Sequence, residues 1–135
     1  MTCERYLEQA KSNEEAARSI ENSYPDWTVI MCFYAGLHLV EYYACQKGED
    51  ISNQIQNKSP HDSRRDYIRR LAKKLNNKNV EKLYNSLEEV SQISRYLKGI
   101  KYISAVAYFK DHKSDVNKTF DKLQQFKDIL DKHLV

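Results

Sequence analysis

Three side chains able to do acid–base or electrostatic chemistry occupy positions that helical spacing turns inward: His38 and Glu41 in an otherwise apolar helix, and Arg64 on the inner stripe of the next. A buried charge is costly unless paired, so the set is either a structural network or a site. His38 and Glu41 are three residues apart and hence neighbours on one helix face, with Tyr34 and Tyr42 each four residues from His38. Stepping back along the stripe Leu75, Leu71 and Ile68 lands on Arg64 and His61, while Tyr84, Ser91 and Arg95 share one side of a later helix. If those faces meet, Glu41 pairs with Arg64 or Arg95, and the histidines gain hydroxyl and carboxylate partners. One reading is a satisfied network that fixes helix register, with His38, Glu41, Tyr34 and Tyr84 as members. The other is a general acid or base histidine beside an arginine that stabilises a phosphoryl transition state, with His61, Arg64 and Arg95 as the candidate catalytic set.

The same stretch carries a separate basic face. Residues 58–82 hold nine Lys or Arg against three Asp or Glu, whereas residues 1–57 hold four against nine. Arg65, Arg69, Arg70, Lys73 and Lys74 fall mostly away from the inner stripe and are the candidate nucleic-acid-binding residues, with a solvated face of mixed charge as the plainer reading. The tyrosines suit core and interface positions, and Tyr102 and Tyr108 are also placed to stack on bases. His112 and His133 stand alone, so no metal site is expected. The absence of any glycine-rich loop excludes a P-loop or dinucleotide site, and no cofactor is expected. Ser59-Pro60-His61-Asp62-Ser63 contains triad letters without the strand-to-helix turn that a nucleophile elbow needs.

The elements that must position these residues are helical. With three Gly and two Pro in 135 residues, the chain has few breakers and is long enough for one domain, 1–135, with a single core. A first helix is expected over Thr2–Asn22 with Leu7, Ala10, Ala17 and Ile20 inward, or a later start at Ser12 if Ser12 and Glu15 form a capping box. Pro25 and Asp26 open a second helix that runs to Lys47 and is closed by Gly48. Apolar residues surround it almost completely, the mark of a central helix or of one lying against a partner subunit. An exposed loop over Glu49–Lys58 precedes a third helix, capped by Ser59 and reaching Leu75. Asn79 caps a fourth over Val80–Lys98, ended by Gly99. Ile100–Phe109 is expected to be extended, and Ser114-Asp115 to cap a final helix with Val116, Phe120, Leu123, Phe126 and Leu130 as its core stripe. The fold class is therefore all-α, an up-and-down bundle of about five helices.

Cys3, Cys32 and Cys45 are odd in number and lack metal-ligand spacing, so they read as reduced core residues of an intracellular protein. A charged N-terminus argues against a signal peptide, and the apolar run of the second helix is interrupted by Tyr34, Gly36 and His38. A cytoplasmic location without membrane association is the expectation.

Asp26-Trp27 with Phe33-Tyr34-Ala35, Leu37-His38 and Val40-Glu41, then Ser59-Pro60-His61 with Arg64, Tyr84 with Leu87, and Ser94-Arg95-Tyr96 together resemble the HEPN (higher eukaryotes and prokaryotes nucleotide-binding) superfamily from about Tyr24 onward. The resemblance implies an α-helical bundle, frequently a homodimer, of the kind found in prokaryotic toxin–antitoxin, antiphage and RNA-processing systems, with a nucleotidyltransferase or other protein as a possible partner. Ribonucleases of that superfamily carry an Arg followed by His after four to six residues, at a protomer boundary, and cleave RNA without metal. None of the seven arginines here meets that spacing. The resemblance therefore implies an atypical member: a homodimeric binding or regulatory module, a metal-independent ribonuclease using His61, Arg64 and Arg95, or a binder of RNA or nucleotide through the basic face.

Overall fold

A computed structural model of the chain describes residues 2–51 and 59–134. Among the described residues there are six α-helices: α1 (Glu4–Ile20), α2 (Pro25–Gln46), α3 (Pro60–Lys74), α4 (Lys78–Tyr96), α5 (Ala105–Asp111) and α6 (Lys113–Lys132). The all-α bundle expected from the sequence is the observed architecture. Residues 52–58 of the expected loop lie outside the described residues.

Local chemistry sets several boundaries. Ser59 caps α3 by accepting from the Asp62 amide at 3.1 Å, and Pro60 fills the first helical position, where no amide donor is needed. Gly48, at φ 86°, closes α2 as expected. Other expected boundaries move. Asn77 rather than Asn79 caps α4, because its side chain reaches the Asn79 amide at 3.0 Å. The helix ends at Tyr96, since Leu97 itself adopts the left-handed conformation at φ 55°, two residues before Gly99. The expected extension over Ile100–Phe109 gives way to α5: Ser104 accepts from the Ala107 amide at 3.1 Å, and the cap outweighs the β-branched residues around it. Lys113 already opens α6, without a side-chain cap, so Ser114 lies inside the helix.

Several neighbouring helices run antiparallel, whereas α2 and α3 run parallel, since Phe33 packs on His61 while Glu41, further along α2, meets Arg64, further along α3. Glu14 meets Lys127 and Arg18 covers Phe120, which sets α1 antiparallel to α6. Arg69 meets Glu81 and Arg65 meets Glu88, which sets α3 antiparallel to α4. Phe33 packs on Tyr84 while Ser94 Oγ donates to the Asp26 carbonyl at 2.6 Å, which sets α2 antiparallel to α4. The core sits between α2, α4 and α6, where Phe33, Val40, Tyr84, Leu87, Leu123 and Phe126 are buried. Each such side chain contributes roughly 1.5–3 kcal/mol by leaving water. Gly36 lets α2 approach closely here, for a Cβ at that position would lie 3.1 Å from Cδ1 of Leu87. Although α2 has the length and mean hydropathy of a membrane span, 72% of its most apolar window is buried inside the bundle, as in a core helix.

Two cysteines depart from the expected reduced state. Cys3 and Cys45 form a disulfide with Cα atoms 5.7 Å apart. The cause is topological: α1 and α2 form a hairpin turning near Tyr24, which lies midway between the two cysteines in sequence, so equal arms bring their ends together. Disulfides persist in oxidising compartments, so the intracellular reading loses the support it drew from these two thiols. Cys32 is free and buried, as expected, and burial pushes its thiol up to about 12, with Glu14 adding to the effect.

Candidate functional site

The apolar wall of α2 delivers His38 and Glu41 to its edge, where α3 brings Arg64. Nδ1 of His38 lies 2.8 Å from Oε1 of Glu41, and Nη2 of Arg64 lies 3.1 Å from Oε2. Glu41 is only 4% exposed, and Nη1 of Arg64 also donates to the Pro60 carbonyl at 2.7 Å. Of the two arginines that could have matched Glu41, the fold selects Arg64. Arg5, Tyr6 and Gln9 of α1 complete an open depression of about 460 Å³ over this triad. Both oxygens of Glu41 and one face of Arg64 are thus committed inside the protein.

One turn earlier on α3, His61 faces a different set. Its ring stacks on Phe33 with centroids 5.9 Å apart and lies 6.5 Å from that of Tyr34. Arg95, in the last turn of α4, covers the same two rings at 5.7 and 5.9 Å. Its Nη atoms donate to Tyr34 Oη at 3.4 Å and Ser91 Oγ at 3.2 Å, with no carboxylate partner among the described residues. Among the described residues, Nε of Arg95 and Nδ1 of His61 are buried without a partner. Burial lowers the His61 pKa from its ordinary 6.5; Glu88 raises it, and Arg95, Arg65 and Arg64 lower it. A neutral imidazole beside a half-buried guanidinium can accept a proton or hold an anion.

The sequence-predicted residues therefore divide. His38, Glu41 and Arg64 form one cluster; His61, Arg95 and Tyr34 form another. Tyr84 joins neither by hydrogen bonding: it is fully buried against Phe33 and Phe126, its hydroxyl has no partner among the described residues, and burial pushes its pKa well up. Tyr42 lines a separate apolar cavity with Leu7, Leu39 and Leu134.

The basic face of α3 is largely neutralised. Arg65 turns inward and forms a two-pronged pair with Glu88, Nε to Oε1 at 2.7 Å and Nη2 to Oε2 at 2.6 Å, while its Nη1 meets Asp62. Arg69 meets Asp66 and Glu81, and Arg70 meets Glu49. Lys73 and Lys74 are exposed in the last turn of α3, where they complement the helix dipole. Glu88 went unremarked in the sequence, although it lies four residues after Tyr84 and three before Ser91, on the very side that carries them. Among the described residues no group of three or more His, Cys, Asp or Glu could hold a metal ion. No family model, no curated protein and no solved structure matches this chain.

Proposed function

We propose that the chain is a HEPN-like helical domain acting as a homodimeric binding or regulatory module. The observation that carries this reading is the commitment of its buried charges: Glu41 is matched by His38 and Arg64, and Glu88 by Arg65, so the most enclosed charged groups join α3 to α2 and α4. Self-association draws on α2, where Met31, Tyr34, His38 and Tyr42 form a half-buried stripe at helical spacing. A module of this kind suits a toxin–antitoxin, antiphage or RNA-processing system in which a nucleotidyltransferase or another protein docks on it. Sedimentation at micromolar concentration tests the dimer: a dimer that Met31→Lys converts to monomer supports it, and a monomer throughout ends it.

The second reading is a metal-independent ribonuclease, favoured by the lack of a carboxylate on Arg95 beside a His61 held neutral. His61 would take the proton of a 2′-hydroxyl as its oxygen bonds to the adjacent phosphorus and the P–O5′ bond breaks, the 5′-oxygen taking a proton from water, while Arg95 would stabilise charge developing on the phosphate. Arg64, tied to Glu41, would support the position of α3 rather than touch substrate. Labelled RNA incubated with the protein in EDTA, beside His61→Ala and Arg95→Ala, decides it. No cleavage by the wild type ends the reading.

A further inference from the structure

Among the described residues, cations without an acidic partner include Lys47 after α2, Lys118, Lys122 and Lys132 on α6, and two groups near the ends of α4. At its start they are Lys73, Lys74, Lys78 and Lys82, with no exposed large aromatic ring beside them. At its end the setting differs. Residues 94–118 carry six Lys or Arg against two Asp; among the described residues Lys101, Lys110 and Lys113 are exposed without an ion pair, and Lys98 donates to the neutral Gln92 at 3.0 Å. Arg95 in the same segment donates only to hydroxyls.

Exposed rings gather at this same end. Ser94 is hydrogen-bonded to Asp26, which fixes the start of α2 beside the end of α4, and Pro25 and Glu21 share a depression with Lys110 and Lys113. Trp27 at 53% exposure and Tyr96 at 68% therefore stand on one end of the bundle with Tyr102. Tyr102 packs edge-on to Tyr108 at 5.2 Å, and Tyr108 stacks on His112 at 4.1 Å, so the outer ring is held by a rigid aromatic base. The His112 Nδ1 at 2.8 Å from the Tyr108 carbonyl fixes that base further.

Aromatic faces interleaved with unpaired cations suit one class of ligand: a single strand whose bases stack while its phosphates are neutralised. A duplex hides its base faces, and an acidic peptide would engage the cations without a regular series of planar groups to stack on the rings. We propose that this end of the bundle, built by Trp27, Tyr102, Lys98, Lys101, Lys110 and Lys113, binds single-stranded nucleic acid. The proposal names a partner for the binding module and rests on that reading, though not on the dimer.

Trp27 is the sole tryptophan, so its emission reports the surface directly. Titrating the 135-residue protein with a 12-nucleotide oligouridylate should quench it. Replacing Lys98, Lys101, Lys110 and Lys113 together by Gln should weaken binding about tenfold or more and lower the salt slope by roughly 0.7 per lost phosphate contact. Tyr102→Ala should weaken binding at least about fivefold with the slope unchanged, as loss of one stacking platform requires. Lys73, Lys74 and Lys78 replaced by Gln should change little, and circular dichroism should show all variants folded. Absence of quenching, equal affinity for duplex RNA, or equal losses from the two lysine sets would overturn the proposal. So would a Trp27 signal that follows protein concentration alone, which would identify a second copy of the chain as the occupant. Sedimentation of the unliganded variants tests the dimer separately.

Discussion

Arg64 reaches from α3 to α2 and sets its Nη2 3.1 Å from Oε2 of Glu41, joining two residues 23 positions apart in the sequence. The carboxylate is simultaneously engaged by His38, so each of its oxygens has one partner. Such a pair holds register more than it adds net stability, because desolvation offsets much of the attraction. Breaking one side alone leaves a buried charge.

Arg64→Met should therefore destabilise the fold by about 3–5 kcal/mol, and Glu41→Leu by a comparable amount. The double variant should recover much of the loss. A denaturant double-mutant cycle measures the coupling; strictly additive losses would show that the two residues act independently.

His61 should titrate below 6.5, because burial opposes its charged form. The folded-state pKa lies under the unfolded one, so the unfolded chain binds the proton more readily. Stability is then unaffected by His61 above about pH 6.5 and falls as pH drops from there towards the folded value. Arg95→Gln removes a positive neighbour and should move the pKa upward; histidine resonances followed by NMR across pH 4–8 (approximate range) read both effects.

Reducing the Cys3–Cys45 bond, or replacing Cys45 by Ser, opens a loop whose ends are 42 residues apart. Loop-closure entropy sets the expected loss at about 4 kcal/mol, with 2–4 typical of measured disulfides. Thermal melts with and without reductant should show a clear fall in Tm, and intact mass should rise by two hydrogens on reduction. Cys32→Ala should leave the reductant response unchanged, since that thiol is buried and unbonded.

Gly36→Val should lose roughly 1–3 kcal/mol by overpacking, because even a Cβ there meets Leu87 at 3.1 Å. Gly36→Val combined with Leu87→Ala should recover part of the loss. Urea unfolding of the set checks this.

The sequence made the bundle readable wherever one helical stripe met one core: Val116, Phe120, Leu123, Phe126 and Leu130 are buried as their spacing predicts. The triad of His38, Glu41 and Arg64 was also legible, because polar residues on apolar stripes demand partners. Choosing between Arg64 and Arg95 was not, since that depends on how far α3 and α4 slide past α2. Arg65 looked like an outward cation because stripe counting ignores the reach of a long side chain, and its partner Glu88 lies on another helix. The α5 helix was missed because one serine cap outweighed a β-branched composition. The disulfide required knowing that α1 and α2 turn back on one another at Tyr24. That pairing lay in the arm lengths rather than in any motif.

The bond between Cys3 and Cys45 makes a covalent ring of α1, α2 and their turn. A protease that nicks the exposed Asn22–Ser23 stretch would cut the chain without releasing either helix, so the nicked protein would migrate intact until reduced. The same ring bars α1 from ratcheting along α2 by a helical turn.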